Sequence, residues 1–356
     1  MLSNYYYQKL NNDYRNAYDL ILSALLNRES ECDLQIEPQV ALECWKAVVF
    51  DNPQIIYYPG LFSNPRQVND TVKFRFQYSQ IDEQAFNVRL EEALNEIDSK
   101  FSWNSTSYFK LKTIFDYIAS IVKYEHEVLD EYLQMDTPSD EAMLRFMERN
   151  SASFSPYGVL MNRRGVCQGI SKLFKIFCDR FGIECALVEA KTKELSDGSE
   201  CNHMMNVVEV DGIRSFIDIT NCLVMPEVPF VRYDSFLMSK RIMDKSFVIP
   251  EDFQCVDENI NYYSRNSLRF TSLSEFRHYL TSYTLRNNDG KIRCHYDGEG
   301  LSDEKIEEIF FELNNSHAEE GWQMRYASIK NGFCSGLLTD NEKLLETIEK
   351  EIKRRK

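Results

Sequence analysis

The sequence predicts an α+β protein. Three observations point to that class. Apolar residues recur at helical spacing through much of the first 122 positions and again over 170–181. Short strands are then predicted at about 184–190, 203–210 and 213–219. The strongest hairpin dipeptide of the chain, Asp211-Gly212, joins the last two.

Three stretches follow in order: 1–104, 105–250 and 251–356. In the first, Leu10, Tyr14, Ala17, Ile21 and Leu25 mark one helix. Ala41, Cys44, Trp45 and Val48 mark a second, which stops at Asp51-Asn52-Pro53. Val72, Phe74, Phe76 and Tyr78 alternate with polar residues as a half-buried strand does. Phe86, Leu90, Ala93, Leu94 and Ile97 give another helix. The second stretch opens with a helix through Tyr108, Leu111, Phe115, Ile118 and Val122. A polar link runs from there to Pro156. After Gly165-Val166-Cys167 comes a helix with the stripe Ile170, Leu173, Phe174, Phe177, Cys178 and Phe181, ended by Gly182. The third stretch alternates helices near 272–286, 302–314 and 340–353 with strands near 291–296 and 322–329. Asn331-Gly332 is a hairpin turn and Asn287-Asn288-Asp289-Gly290 a plain turn, since Leu285 and Tyr296 stand where a calcium loop needs Asp and Glu.

Composition excludes several classes. The 41 basic and 56 acidic residues leave a net charge of -15, which opposes nonspecific binding to nucleic acid or to an anionic membrane. No run of 18 apolar residues occurs, and the first residues lack a basic start with an apolar run. Ten scattered cysteines without a Cys-x-x-Cys pair read as reduced thiols, so a cytoplasmic location is expected. No phosphate-binding glycine loop is present, and no cofactor is expected.

Register brings two polar residues together. With Asp211-Gly212 as a two-residue turn, Val210 faces Ile213 and partners sum to 423. His203 then faces Thr220 and Met205 faces Asp218. Odd positions of the first strand share a face with even positions of the second, so His203 and Asp218 are diagonal neighbours, about 7–8 Å apart at Cα. The opposite face, with Val208, Val210, Ile213, Ile217 and Ile219, is expected to be the core face. Cys167 enters its helix from a glycine-containing loop, where unpaired N–H groups and the helix dipole favour a thiolate and an oxyanion. If that helix packs across the sheet, Cys167 meets His203, with Asp218 behind it.

These residues resemble the transglutaminase-like superfamily. Arg164-Gly165-Val166-Cys167-Gln168-Gly169 is similar to its nucleophile loop. His203-Met204-Met205-Asn206-Val207-Val208 is similar to its histidine strand, and Phe216-Ile217-Asp218-Ile219-Thr220 to its Asp-x-Thr strand. Tyr157-Gly158-Val159-Leu160 resembles a segment of bacterial members, and the helix ending Val122-Lys123-Tyr124 their upstream helix. The likeness covers about 105–245 and implies a papain-like core. It implies Cys167 as nucleophile, His203 as base and Asp218 as the orienting acid. It also implies acyl transfer from a peptide or protein amide to water or to an amine. Two positions depart: Met205 stands where the family has Trp, and Ile170-Ser171 where an aromatic follows Gln-Gly. Tyr157 and Gln168 are the candidate oxyanion donors, and Met205 and Asn206 the candidate substrate-pocket residues.

An alternative is a binding module of the same fold that has lost catalysis. Cys167, Cys201 and His203 lack any paired-ligand spacing, so no metal site is expected; Cys201 is left as a neighbour of His203. Cys178 and Cys185 are expected in the core. His126, His278, His295 and His317 are expected in packing or at the surface, and Glu209 with Arg214 as a cross-strand pair. The basic end, Lys350 to Lys356, is expected to be a solvated helix end. Oligomeric state is open.

Overall fold

The helix Cys167–Arg180 lies across a five-stranded antiparallel sheet, and helices of the preceding chain pack against that pair. The computed structural model describes residues 2–60, 66–68, 71–135, 139–193, 201–223, 230–283, 291–317 and 323–339. The mixture of helix and strand is the expected α+β class. Strand order in the central sheet is Phe247–Val248, Cys185–Thr192, Asn202–Val210, Ile213–Ile217 and Phe236–Met238.

The hairpin follows the expected register. Val210 pairs with Ile213, and the ladder runs to Asn206 opposite Ile217. Asp211 and Gly212 both take positive φ, 54° and 80°, as a type I′ turn requires. Glu209 accepts from Arg214 at 3.0 Å across the turn. The ladder stops two residues before the predicted strand end. Asp218 instead caps the short helix Ile219–Cys222, its carboxylate accepting from Asn221 N–H at 3.2 Å. A second difference is burial. Val207 and Phe216, on the face shared with Asp218, are as buried as Val208, Val210 and Ile217. The ring of Phe253 stands 6.4 Å from that of Phe216, so this face is covered too.

From Gly169 to Cys178 every residue of the long helix is buried, where its apolar stripe predicts one wet side. Ile170, Leu173, Phe174 and Phe177 face one core cluster, while Lys172 and Lys175 are buried on the other side. Lys175 is satisfied by the Ser3 and Cys185 carbonyls, both at 3.0 Å, and by Asp179 at 2.9 Å. Gly182 ends the helix at φ 68°. The layer covering its outer side comes from the first stretch. Its helices Asn12–Leu26, Pro38–Asp51 and Glu83–Asp98, and Ser107–Ile121 of the second stretch, form where the apolar periods place them. The predicted strand is Thr71–Arg75, central in a three-stranded sheet with Glu31–Leu34 and Arg66–Val68.

The polar link is not a link. It folds into helices His126–Gln134 and Asp140–Asn150, the second capped by Ser139 Oγ accepting from Ala142 N–H at 3.2 Å. Met143, Phe146 and Met147 supply its buried stripe at offsets 0, 3 and 4 and pack on Phe154 and Val166.

The last stretch forms a four-stranded sheet with helices Leu273–Tyr283 and Asp303–His317 on it. Asn331-Gly332 makes the expected turn between Gln323–Lys330 and Phe333–Thr339. The helix near 340–353, the turn at 287–290 and the basic end lie outside the described residues. No helix among the described residues is long and apolar enough to cross a membrane.

Candidate active site

Cys167 is the first residue of its helix, and no side chain caps that helix end. The backbone N–H groups of a first helical turn have no partner within the helix; that of Cys167 meets the Tyr124 phenol oxygen. The loop that delivers Cys167 is held at close range. Lys123–Tyr124 forms a two-residue parallel bridge with Arg164–Gly165, and Val166 N–H donates to Ser153 O at 2.9 Å. A Cβ on Gly169 would lie 2.7 Å from Ser153 O, which is why the motif needs glycine there.

His203 Nε2 and Asp218 Oδ2 stand 2.8 Å apart. The imidazole is stacked on Phe247, centroids 4.9 Å apart at 16°. With Nε2 turned to the carboxylate, Nδ1 is the nitrogen left for Cys167. Asp218 is 1% exposed, and its other oxygen is occupied by Asn221 N–H. One residue thus caps a helix and holds the imidazole, which fixes both.

The electrostatics favour an ion pair. Burial opposes a thiolate at Cys167, but hydrogen bonding and charge from His203, with the Met204 N–H, hold the thiol below its ordinary pKa. Burial likewise opposes a charged His203. The Asp218 carboxylate, through charge and hydrogen bond, and then Cys167 raise it well above its ordinary value. A thiolate beside an imidazolium is a ready nucleophile with its proton donor in place.

The thiol opens into a cleft of about 250 Å³. Trp45, Phe50, Leu129, Tyr132, Phe154 and Val166 form its apolar walls; Lys46, Gln168, Glu189, Cys201 and Asn202 supply the polar groups. Among the described residues no group of three His, Cys, Asp or Glu is placed to hold a metal ion.

Of the residues predicted from sequence, Cys167, His203 and Asp218 come together. Gln168 lines the cleft, but its side-chain amide donates to Pro59 O at 2.8 Å. Three candidates lie away from the cleft. Tyr157 does not line this cleft; its ring faces Phe86 at 6.2 Å beside a separate depression. Met205 is fully buried in the core, and Met204 lines the cleft instead. Asn206 is 1% exposed and donates to Ser171 O at 3.0 Å, tying strand to helix. The cleft lies at the start of the strand, and residues 205–206 are already beneath the helix.

Sequence reasoning missed the walls. Trp45 read only as helix stripe, Phe50 was not singled out, and Leu129 and Tyr132 lay in the supposed link. The apolar spacing of Val128, Leu129, Tyr132 and Leu133 was the available signal. Tyr124 was also missed. Burial, then the charge of Cys167, push its phenol far up, and its oxygen lies beside the Cys167 backbone N–H. Cys201 sits half-buried at the cleft, its thiol held up by burial and by the charge of Cys167.

No family model and no curated protein matches the chain. Solved structures give distant likenesses. One, described as a TGase, is 14% identical with TM-score 0.31, over 46% of this chain and 44% of that one. A provisionally named cysteine protease from Cytophaga hutchinsonii is 11% identical with TM-score 0.27, over 53% and 65%. A provisionally named protease from Parabacteroides distasonis is 12% identical with TM-score 0.24, over 45% and 36%. This chain spans less than two thirds of each. At these scores the likeness carries no residue role to this chain.

Proposed function

We propose that the protein is a cysteine-dependent acyl-transfer enzyme acting on a peptide or protein amide. The observation that supports this reading is the juxtaposition of Cys167 and His203 at a cleft, with Asp218 buried behind the imidazole and the thiol on the first residue of a helix. In this reading residues 105–250 are a papain-like core of transglutaminase type, flanked by 1–104 and 251–356.

The thiolate of Cys167 attacks the amide carbonyl carbon, and the C–O π electrons move onto oxygen. First-turn N–H groups of the helix receive that oxyanion. As the C–N bond breaks, His203 gives its proton to the leaving amine, and a thioester remains on Cys167. Water or a primary amine then attacks the thioester. His203 takes the incoming proton, the C–S bond breaks, and the acyl group leaves as acid or new amide. Asp218 keeps the imidazole oriented and supports its charge throughout.

Site-mapped alkylation with iodoacetamide at pH 6 tests this. An ordinary thiol, pKa about 8.5, is almost wholly protonated there. Cys167 is expected to label first among the ten cysteines, and His203→Ala to slow it. A Cys167 that labels no faster than the half-buried Cys32 and Cys201 overturns the reading, as does substrate turnover that survives Cys167→Ala.

A further inference from the structure

We propose that the cleft beside Cys167 accepts one bulky apolar side chain, preferentially aromatic, adjoining the amide under attack. This rests on the acyl-transfer reading above and names the substrate feature that the site selects.

Size carries the first part. A cavity of about 150 Å³ lined by apolar side chains holds one benzene ring. Sites for whole small molecules run from about 300 to 1,000 Å³. At about 250 Å³ the cleft has room for a single ring and its methylene.

The lining carries the second part. Trp45 is buried, and its indole N–H is already donated to Tyr58 Oη at 2.8 Å, so the ring presents apolar surface alone. Phe154 is held edge-on by Phe146, centroids 5.9 Å apart, with Tyr132 6.3 Å away. Tyr132 keeps 37% of its surface exposed, on a helix that otherwise buries no residue completely. These rings offer faces and edges to another ring. Three of the polar groups are engaged by other protein groups. Lys46 and Glu189 pair at 2.8 Å, which cancels their charge at the wall, and the Gln168 amide is donated to Pro59 O. Asn202 stands exposed. A carboxylate or carboxamide entering the cleft would exchange water for apolar walls, whereas a ring would gain from the same transfer.

Two walls come from distant parts of the chain: Trp45 and Phe50 from the helix Pro38–Asp51, and Leu129 and Tyr132 from His126–Gln134. Selection would therefore belong to the additions around the core, while Cys167, His203 and Asp218 supply the chemistry.

The test uses three alkylating reagents with one warhead: iodoacetamide, N-benzyl-iodoacetamide and N-carboxymethyl-iodoacetamide. Rates at Cys167 are mapped by mass spectrometry on the full chain and divided by each reagent's rate with glutathione. The proposal expects the benzyl reagent to exceed iodoacetamide by about tenfold or more after that correction, and the carboxymethyl reagent to fall below it. Tyr132→Ala should shrink the benzyl preference severalfold, and Tyr132→Phe should retain it, because ring and not hydroxyl forms the wall. Rapid iodoacetamide labelling with no benzyl preference overturns the pocket assignment and leaves the nucleophile in place. No selective labelling of Cys167 by any reagent overturns the nucleophile and the pocket with it.

Discussion

Lys172 offers a sharp thermodynamic test of how the long helix is enclosed. Its side chain is 2% exposed, and its ammonium donates to Pro59 O at 2.7 Å. Burial alone pulls its pKa from 10.5 down to about 7. The folded value lies below the unfolded one. Between about pH 7 and 10.5 the unfolded chain therefore holds a proton that the folded chain lacks, and stability rises with pH. Below that window both states are protonated and the full penalty applies. At about 1.4 kcal/mol per pH unit, the gap corresponds to about 5 kcal/mol. Lys172→Met keeps length and apolar bulk and removes the penalty. It also removes a charged hydrogen bond, worth about 1.5–3 kcal/mol. Pro59 O is not orphaned, because Gln168 Nε2 still donates to it at 2.8 Å. The net expectation is a variant about 2–3 kcal/mol more stable than wild type at pH 7, with the advantage fading by about 1.4 kcal/mol per pH unit, vanishing between about pH 8.5 and 9 and reversed at pH 10, where the lost hydrogen bond is what remains. Urea unfolding of both proteins at pH 7, 8, 9 and 10 measures this, and the difference cancels every other titrating group. A difference independent of pH, or a methionine variant less stable at pH 7, would show that Lys172 keeps its charge in the fold.

Other expectations follow from the same geometry. Asp218→Asn keeps the helix cap but removes the charge behind His203; the relief of direct repulsion on the thiolate is the smallest influence on Cys167, so imidazolium loss wins. Cys167 alkylation at pH 6 should slow by about tenfold or more, and an unchanged rate refutes the pairing. His295 is fully buried, stacked 3.9 Å from Phe333, with neither ring nitrogen partnered among the described residues, and burial lowers its pKa from 6.5 to about 3. Only the unfolded chain gains that proton between pH 6.5 and about 3, so stability falls with acidification, by about 2 kcal/mol at pH 5. His295→Phe should remove that part of the acid sensitivity, and melts at pH 7 and 5 that move in parallel for both proteins would refute it. Gly169→Ala sets a Cβ 2.7 Å from Ser153 O, so a change that ordinarily favours a helix should here cost about 1–3 kcal/mol. An undiminished melting temperature would mean that the loop at 151–155 moves freely.

What the sequence determined by itself is local. Asp211-Gly212 favours positive φ wherever it sits, and side chains alternate along a strand. The pairing of residues 206–210 with 213–217 is therefore legible in the amino-acid order alone. The same arithmetic put His203 within reach of Asp218, and the stripe from Ile170 to Phe181 marked the helix that carries Cys167. Tertiary packing decided the rest. Periodicity gives the apolar side of a helix but not what covers its polar side, so the burial of Lys172 and Lys175 was invisible. The alternation that placed Met205 and Asn206 correctly in the strand could not say where the helix begins to cover it. The cleft walls come from residues 45, 50, 129, 132 and 154, and no short-range pattern links them. They meet because separate helices bury their stripes against one central pair of elements, and burial depends on the whole chain at once.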